Sequence, residues 1–483
     1  MKKEEDNLGR LLVLLLLTLA ICLGMYWLPN RLLGFKIKRV DLLSDLRIKP
    51  DDNTLDSLRL QLAEADTLQI DSVQLRDSIR QQLGIDSVAL ALRDSLYQAL
   101  YAMSGADSLG TYIEDYSVGH IGLMHFFAQL NRIHELDRPV RIAFLGDSFI
   151  EGDILVGDFR SAMQQQFGGR GVGFVPIQSV AAQYRPTVKM EAEGWKQWSM
   201  LTDEMPGYTL SGMLFEPEAA EAILSVKSSD RYPELEECGS LKLLYEQSRE
   251  TQMSLVCNEA ADTLHIALPA TTRMSQYEQL GTFREAHFRF TQADGFRALG
   301  VAMEDNSGIV VDNFSLRGNS GMILDRLDSL SCLALDSIRP YDLIILQYGL
   351  NVANDDVIQY GWYGTRMVQV VKHLRNCFPR ADILMLSVSD RSRQENGGFE
   401  TMPAVLALLH AQRKAAKQAG IPFWNLFGAM GGENSMVRYV ENNWASKDYT
   451  HLSFRGGKEI AEALMRALMQ EKEFYDEAEK MEP

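Results

Sequence analysis

The chain has 483 residues, enough for two or three domains and a sizeable core. Its 65 acidic against 48 basic residues give a formal net charge of −17 and no basic stripe to neutralise phosphates, which argues against a nucleic-acid partner. The five cysteines form no Cys-x-x-Cys pair and no Cys/His cluster, which argues against a structural zinc site.

Leu11 to Leu28, "LLVLLLLTLAICLGMYWL", is an uninterrupted apolar run of about the length needed to cross a hydrocarbon core. Tyr26 and Trp27 close it, where interfacial aromatics collect. No small-x-small cleavage site follows, so residues 1–39 are expected to be a tail and an uncleaved transmembrane signal anchor rather than a cleaved signal peptide. Lys2, Lys3 and Arg10 precede the run and Arg31, Lys36, Lys38 and Arg39 follow it, so charge alone does not set its orientation.

From residue 40 to 137 the sequence is polar and punctuated by Leu. Apolar residues recur at spacings of three and four, as at Val73, Leu75, Ile79 and Leu83, which suits amphipathic helices. Asp-Ser pairs recur at Asp56, Asp71, Asp77, Asp86 and Asp94, where short oxygens suit helix caps and turns. A helical stalk is expected, without the sustained heptads of a coiled coil.

At Arg138 the pattern changes to α/β. "PVRIAFLG" ends at Gly146 and leads into a helix-like stretch, and later apolar runs occupy 308–315, 342–349, 382–389 and 421–427. Helical patterns separate the last three, which predicts a parallel sheet covered on both faces, with sites at the carboxyl ends of its strands. Between 185 and 304 short strand-like stretches, spaced by turn residues, predict an inserted β-sandwich-like domain. The α/β body is therefore expected in 138–184 and 305–475, with a tail at 476–483. Cys238 and Cys257 lie close together in the β-rich segment and are candidates to pair in an oxidising compartment. Trp195 and Trp198 suit either a sugar platform or the core of the β domain.

Three loops after expected strands hold reactive residue types. Ser148, in "GDS", sits at a strand-to-helix turn, where glycine permits a tight bend and a helix N-terminus favours negative charge. The second loop, "DNFSLRGNSG", carries Gly318 and Gly321, and the third, "QYGLNVAN", carries Gly349 and Asn351. Near the C-terminus, "KDYTHLSFRGG" places Asp448 three residues before His451, so that the carboxylate reaches one imidazole nitrogen while the other faces a serine.

Taken together, these blocks resemble the SGNH (GDSL) hydrolase family: Gly-Asp-Ser at Gly146–Ser148, a block glycine, Gly-x-Asn at Gly349–Asn351 and Asp-x-x-His at Asp448–His451, in that order. The resemblance covers Arg138 to about Tyr184 and about Asp305 to Leu468. It implies a three-layer, flavodoxin-like α/β fold with Ser148 as nucleophile, His451 as general base and Asp448 orienting it. It implies an oxyanion hole made by the N–H groups of Ser148 and Gly318 and the Asn351 amide. Gly321 is the alternative block glycine, and distance from the strand favours Gly318. Asp147, Tyr348 and Trp444 are expected to contact substrate. Val352 stands where many members carry Asp. No metal or organic cofactor is expected.

Anchor, stalk and inserted β domain resemble extracytoplasmic enzymes that act on O-acetylated polysaccharide or peptidoglycan. The first expectation is a membrane-anchored periplasmic O-acetylesterase, with a carbohydrate-binding insertion and a membrane-bound acyltransferase as candidate partner. The second is a polysaccharide O-acetyltransferase using the same triad. The third is a non-catalytic envelope glycan-binding protein.

Overall fold

The computed structural model describes residues 31–32, 35–36, 87–104, 110–179, 185–260, 262–271, 273–395 and 397–481. The chain divides into two units, Met1–Gln69 and Ile70–Pro483. In the first, the described residues form a short antiparallel pair, Arg31–Leu32 with Phe35–Lys36. The apolar run Leu11–Leu28 and the stalk up to residue 86, apart from that pair, lie outside the described residues. Among the described residues no helix is long and apolar enough to cross a membrane.

The second unit is built on a six-stranded sheet: β1 (Ile113–Asp115), β2 (Val140–Gly146), β3 (Ile309–Ser315), β4 (Leu343–Gln347), β5 (Asp382–Leu386) and β6 (Pro422–Trp424), in the order β3-β2-β4-β5-β6-β1. Strands β2 to β6 run parallel and β1 closes one edge antiparallel. Among the parallel strands this is the flavodoxin-like order, with its switch point between β2 and β4. Every residue of β2 and β4 is buried, as a strand covered on both faces requires. Ser315, Gly146 and Gln347 are level across β3, β2 and β4, so the loops that follow leave the sheet side by side.

Seven longer helices accompany the sheet: α1 (Ser87–Ser104), α2 (Met124–Asn131), α3 (Val156–Phe167), α4 (Ser329–Ile338), α5 (Gly361–Cys377), α6 (Pro403–Ala419) and α7 (Phe454–Met481). Helix α3 packs on α7 and α5 packs on α6. Two expected boundaries are corrected here. Residues 110–137, expected in the stalk, supply the edge strand β1 and helix α2 to the body. Helix α7 runs to Met481, through the expected tail, and α1 docks on it: Arg93 pairs with Glu479 at 3.0 Å and Tyr97 meets Phe474 edge-on. An apolar stripe on α1 signals a buried face in either reading, and only the folded chain shows which surface receives it.

The insertion begins earlier than expected, because Gly173–Pro176 already pairs with Phe296–Glu304. Two antiparallel sheets follow. In the second, Ala222, Leu224 and Val226 alternate with more exposed neighbours, the pattern of a sheet with one covered face. The sheets meet through aromatic contacts: Phe290 lies 5.2 Å from Trp195 and 5.1 Å from Phe296 of the other sheet. Trp195 is thereby core rather than surface, and its indole N–H donates to Ile223 O. Cys238 and Cys257 stand as free thiols on strands of different sheets.

Buried charges fasten the insertion to the body. Glu304 accepts from Arg141 at 2.8 Å, Lys242 at 2.8 Å and Arg339 at 2.6 Å, and Arg339 also holds Asp312 of β3. Removing one partner of such a set strands the others without water, at a cost of roughly 3–5 kcal/mol.

Candidate active site

Glycine at the end of β2 allows the turn that presents Ser148. A Cβ on Gly146 would fall 2.6 Å from Ile150 Cδ1 and 3.1 Å from Gln347 O, so a larger residue requires the Ile150 side chain to shift. Ser148 is half-buried, and its Oγ lies 3.3 Å from His451 Nε2. His451 Nδ1 lies 2.7 Å from Asp448 Oδ2. With Nδ1–H donated to the carboxylate, Nε2 is left as the acceptor facing Ser148.

The loop holding Asp448 and His451 is pinned at its base by a bridge between Ala445 and Leu452. The N–H of Ser446 donates to His451 O at 2.8 Å. Burial would raise the Asp448 carboxyl, but it accepts the N–H groups of His451 and Thr450, the Ser446 hydroxyl and the imidazole. Together these hold it well below the ordinary carboxylate range.

Two glycines carry this loop to Ser148. A Cβ on Gly456 would fall 2.0 Å from Trp444 O, and one on Gly457 would fall 1.9 Å from Ile154 O. The first turn of α7 therefore rests against the segment that follows Ser148, which brings His451 over the serine.

The loops after β3 and β4 complete the site. The Asn351 amide donates to Asp147 Oδ2 at 2.8 Å and to Asn319 O at 3.0 Å. Both amide hydrogens are engaged, so donation to an oxyanion requires the longer bond to be shared or released. Gly321 N–H donates to Asn319 Oδ1 at 2.8 Å and is used up. Among the described residues the N–H groups of Ser148 and Gly318 have no partner, and the space within 4 Å of a Cβ on Gly318 is empty. Of the two candidate glycines, Gly318 thus has the open donor. Beside it, exposed Arg317 ion-pairs with Glu151 of the Ser148 loop.

Asp147 and Tyr348, expected to contact substrate, are corrected by their burial: they are 0 % and 2 % exposed. A sequence position next to a reactive residue does not say which way the side chain points. Asp147 turns inward to accept Phe149 N–H at 2.9 Å and the Asn351 amide, and burial, opposed by those bonds, pushes its carboxyl up to about 6. The Tyr348 ring supports the second loop, 2.8 Å from where a Cβ on Gly321 would stand. Trp444 is half-buried with its ring edge-on to Tyr439. Asn319, whose carbonyl and side chain order the second loop, escaped the sequence reading, since only its place between Gly318 and Gly321 hinted at a role.

A similar trio elsewhere sharpens the contrast. Ser225 Oγ lies 2.8 Å from His287 Nδ1, whose Nε2 lies 3.0 Å from Glu285. Ser225 is on a strand paired on both sides, where backbone N–H groups serve the ladder, so the trio has no donors to spare. Ser148 stands at a turn with open N–H groups.

No family model and no curated protein matches the chain. Among solved structures, a peptidoglycan O-acetylesterase is similar with a TM-score of 0.62 and 20 % identity, covering 75 % of this chain and 99 % of that one. A GDSL-like lipase from Parabacteroides merdae has a TM-score of 0.28 and 15 % identity, covering 34 % of this chain and 74 % of that one. An acetyl xylan esterase has a TM-score of 0.25 and 14 % identity, covering 33 % and 81 %. The chain shares the fold of that peptidoglycan O-acetylesterase. In this fold, Ser148 follows β2 and Asn351 follows β4, the two strands that flank the switch point.

Proposed function

We propose that the protein is an SGNH-type serine esterase that removes O-acetyl groups from a cell-wall or secreted polysaccharide. The observation that carries this reading is the line Ser148–His451–Asp448 beside two open backbone N–H groups. Ser148 Oγ attacks the acetyl carbonyl while His451 Nε2 takes its proton. The N–H groups of Ser148 and Gly318 and the Asn351 amide receive the oxyanion. As the ester C–O bond breaks, His451 returns the proton to the sugar oxygen. Water, deprotonated by His451, then cleaves the acetyl-serine.

Hydrolysis is favoured over transfer by exposure: the side chains of His451 and Asp448 are 40 % and 49 % exposed. Water reaches an acyl-serine formed there, whereas transfer to a sugar hydroxyl calls for its exclusion. Similarity to a peptidoglycan O-acetylesterase supports an acetylated glycan as substrate class. In this reading Leu11–Leu28 anchors the protein in a membrane with the body outside the cytoplasm, and the inserted sheets bind glycan.

The experiment is acetate release by the full chain in detergent from O-acetylated polysaccharide, with and without excess oligosaccharide acceptor. Free acetate in both cases supports esterase action. Acetyl accumulating on the acceptor while acetate release falls would replace it with transfer.

A further inference from the structure

An aromatic pair that none of these roles uses links the loop of Asp448 and His451 to a neighbouring hairpin. Tyr449, between Asp448 and His451, stacks on Phe399 with ring centroids 3.7 Å apart and planes 9° apart. Phe399 belongs to a hairpin, Ser392–Glu395 paired with Gly398–Thr401, that follows the carboxyl end of β5, the end of a parallel sheet where ligands bind.

The hairpin is fastened on three sides. Ser392 N–H donates to Tyr449 O at 3.1 Å. Arg393 Nη1 reaches Asp355 Oδ1, in the loop that follows Asn351, at 3.3 Å. The Thr401 hydroxyl donates to buried Asp390 at 2.9 Å. The hairpin thereby joins the loop of the oxyanion amide to the loop of the general base. It also backs Tyr449, whose φ of +54° is a conformation that L residues seldom adopt without support.

Phe399 nevertheless keeps 38 % of its surface exposed. A flat ring held rigid by a stack loses little freedom when a ligand covers it, and its apolar area favours a partner with an apolar face. Directly opposite Phe399 in the hairpin stands Gln394, which is exposed. Arg393, Glu395 and Glu400 fall on the other face of the hairpin, so the neighbour that Phe399 has on its own face is uncharged, which suits a neutral ligand. A neutral pyranose has the matching form, with C–H groups on its face and hydroxyls at its edge for the Gln394 amide.

We propose that the exposed face of Phe399, backed by Tyr449, is the subsite that takes a neutral sugar ring of the acetylated glycan. This rests on the glycan-esterase reading above. The test uses the full chain in detergent, with p-nitrophenyl acetate and O-acetylated xylotetraose as substrates. Phe399→Ala is expected to lower the ratio of kcat/KM for the tetraose to kcat/KM for the small ester about tenfold, through KM. Phe399→Tyr is expected to restore the ratio to within about twofold. An unchanged ratio in Phe399→Ala, or an equal loss on both substrates, overturns the subsite and leaves the hairpin as a support for the histidine loop. Binding of the tetraose to Ser148→Ala protein separates the two claims. Binding that weakens about tenfold on adding Phe399→Ala, in a protein whose Ser148 form releases no acetate from any glycan, would sink the esterase reading and keep the subsite. Binding that ignores Phe399→Ala would sink the subsite alone.

Discussion

Asp147 and Asn351 are joined by a 2.8 Å hydrogen bond from the Asn351 amide to the Asp147 carboxylate, so the residue before the serine holds the side chain that the proposed mechanism offers to the oxyanion. Asp147 meets two donors with two acceptor oxygens. In Asp147→Asn one of those oxygens becomes a donor that opposes the Asn351 amide. Turnover of a small acetyl ester is expected to fall about tenfold or more, with little change in KM. The pH dependence of stability changes too. The Asp147 carboxyl is raised from 3.8 to about 6 in the fold, so its favourable contribution is full below 3.8 and is lost as pH rises through about 6. Thermal melts between pH 4 and 7 should show a fall with rising pH in the parent that is smaller in Asp147→Asn.

Asp448 behaves oppositely. Its folded carboxyl is depressed, so its stabilising contribution is present above 3.8 and disappears only as pH falls through its lowered value. It stays ionised across neutral and mildly acidic pH, and loss of activity in mild acid does not come from its protonation. Asp448→Asn removes the acceptor that fixes the imidazole tautomer, and kcat on a small ester should fall on the order of 10³–10⁴ while the far-ultraviolet spectrum is retained.

The two block glycines should respond differently to alanine. Both have positive φ, +80° at Gly318 and +85° at Gly321, so each substitution carries a backbone penalty of about 1 kcal/mol. Only Gly321 has a neighbour in the way, the Tyr348 ring at 2.8 Å. Gly321→Ala is expected to lower the melting temperature clearly more than Gly318→Ala, as calorimetry would reveal. Gly457→Ala, set against Ile154 O, should reduce ester turnover by moving His451 away from Ser148.

Helix α1 carries a pH-sensitive contact. Glu471 of α7 accepts the Tyr101 hydroxyl at 2.5 Å, and burial pushes its carboxyl up to about 8; nearby Asp115 raises it further, while the Tyr101 bond and Arg93 oppose the rise. A raised carboxyl stabilises the docked helix below 4.5 and loses that contribution as pH rises through about 8. Protease cleavage within residues 87–104 should accelerate as pH rises from about 4.5 to about 8 and level off above it, and Glu471→Gln should flatten this dependence.

Much of the body was legible because a parallel strand buried on both faces is largely apolar, and a glycine commonly follows it where the chain turns. The segment from Val140 to Ser148 carries both signals. The edge strand β1 did not: three residues are too few for a periodicity, and its partner β6 lies some three hundred residues away. The reactive loops could be read from residue type and order, but not the inward turn of Asp147 or the burial of Tyr348, which depend on neighbours brought in by other strands. Phe399 was invisible for the same reason. Its meaning comes from Tyr449, fifty residues later, and no local pattern links the two.

The most direct measurement is to mix the protein with a chromogenic acetyl ester, quench within the first expected turnover and locate the acetyl group by peptide mass spectrometry. Acetyl on the peptide containing Ser148, absent in Ser148→Ala, with turnover lost in the same variant, is the predicted result. Acetyl on a different residue, or turnover that survives Ser148→Ala, would contradict the assignment of Ser148 as nucleophile.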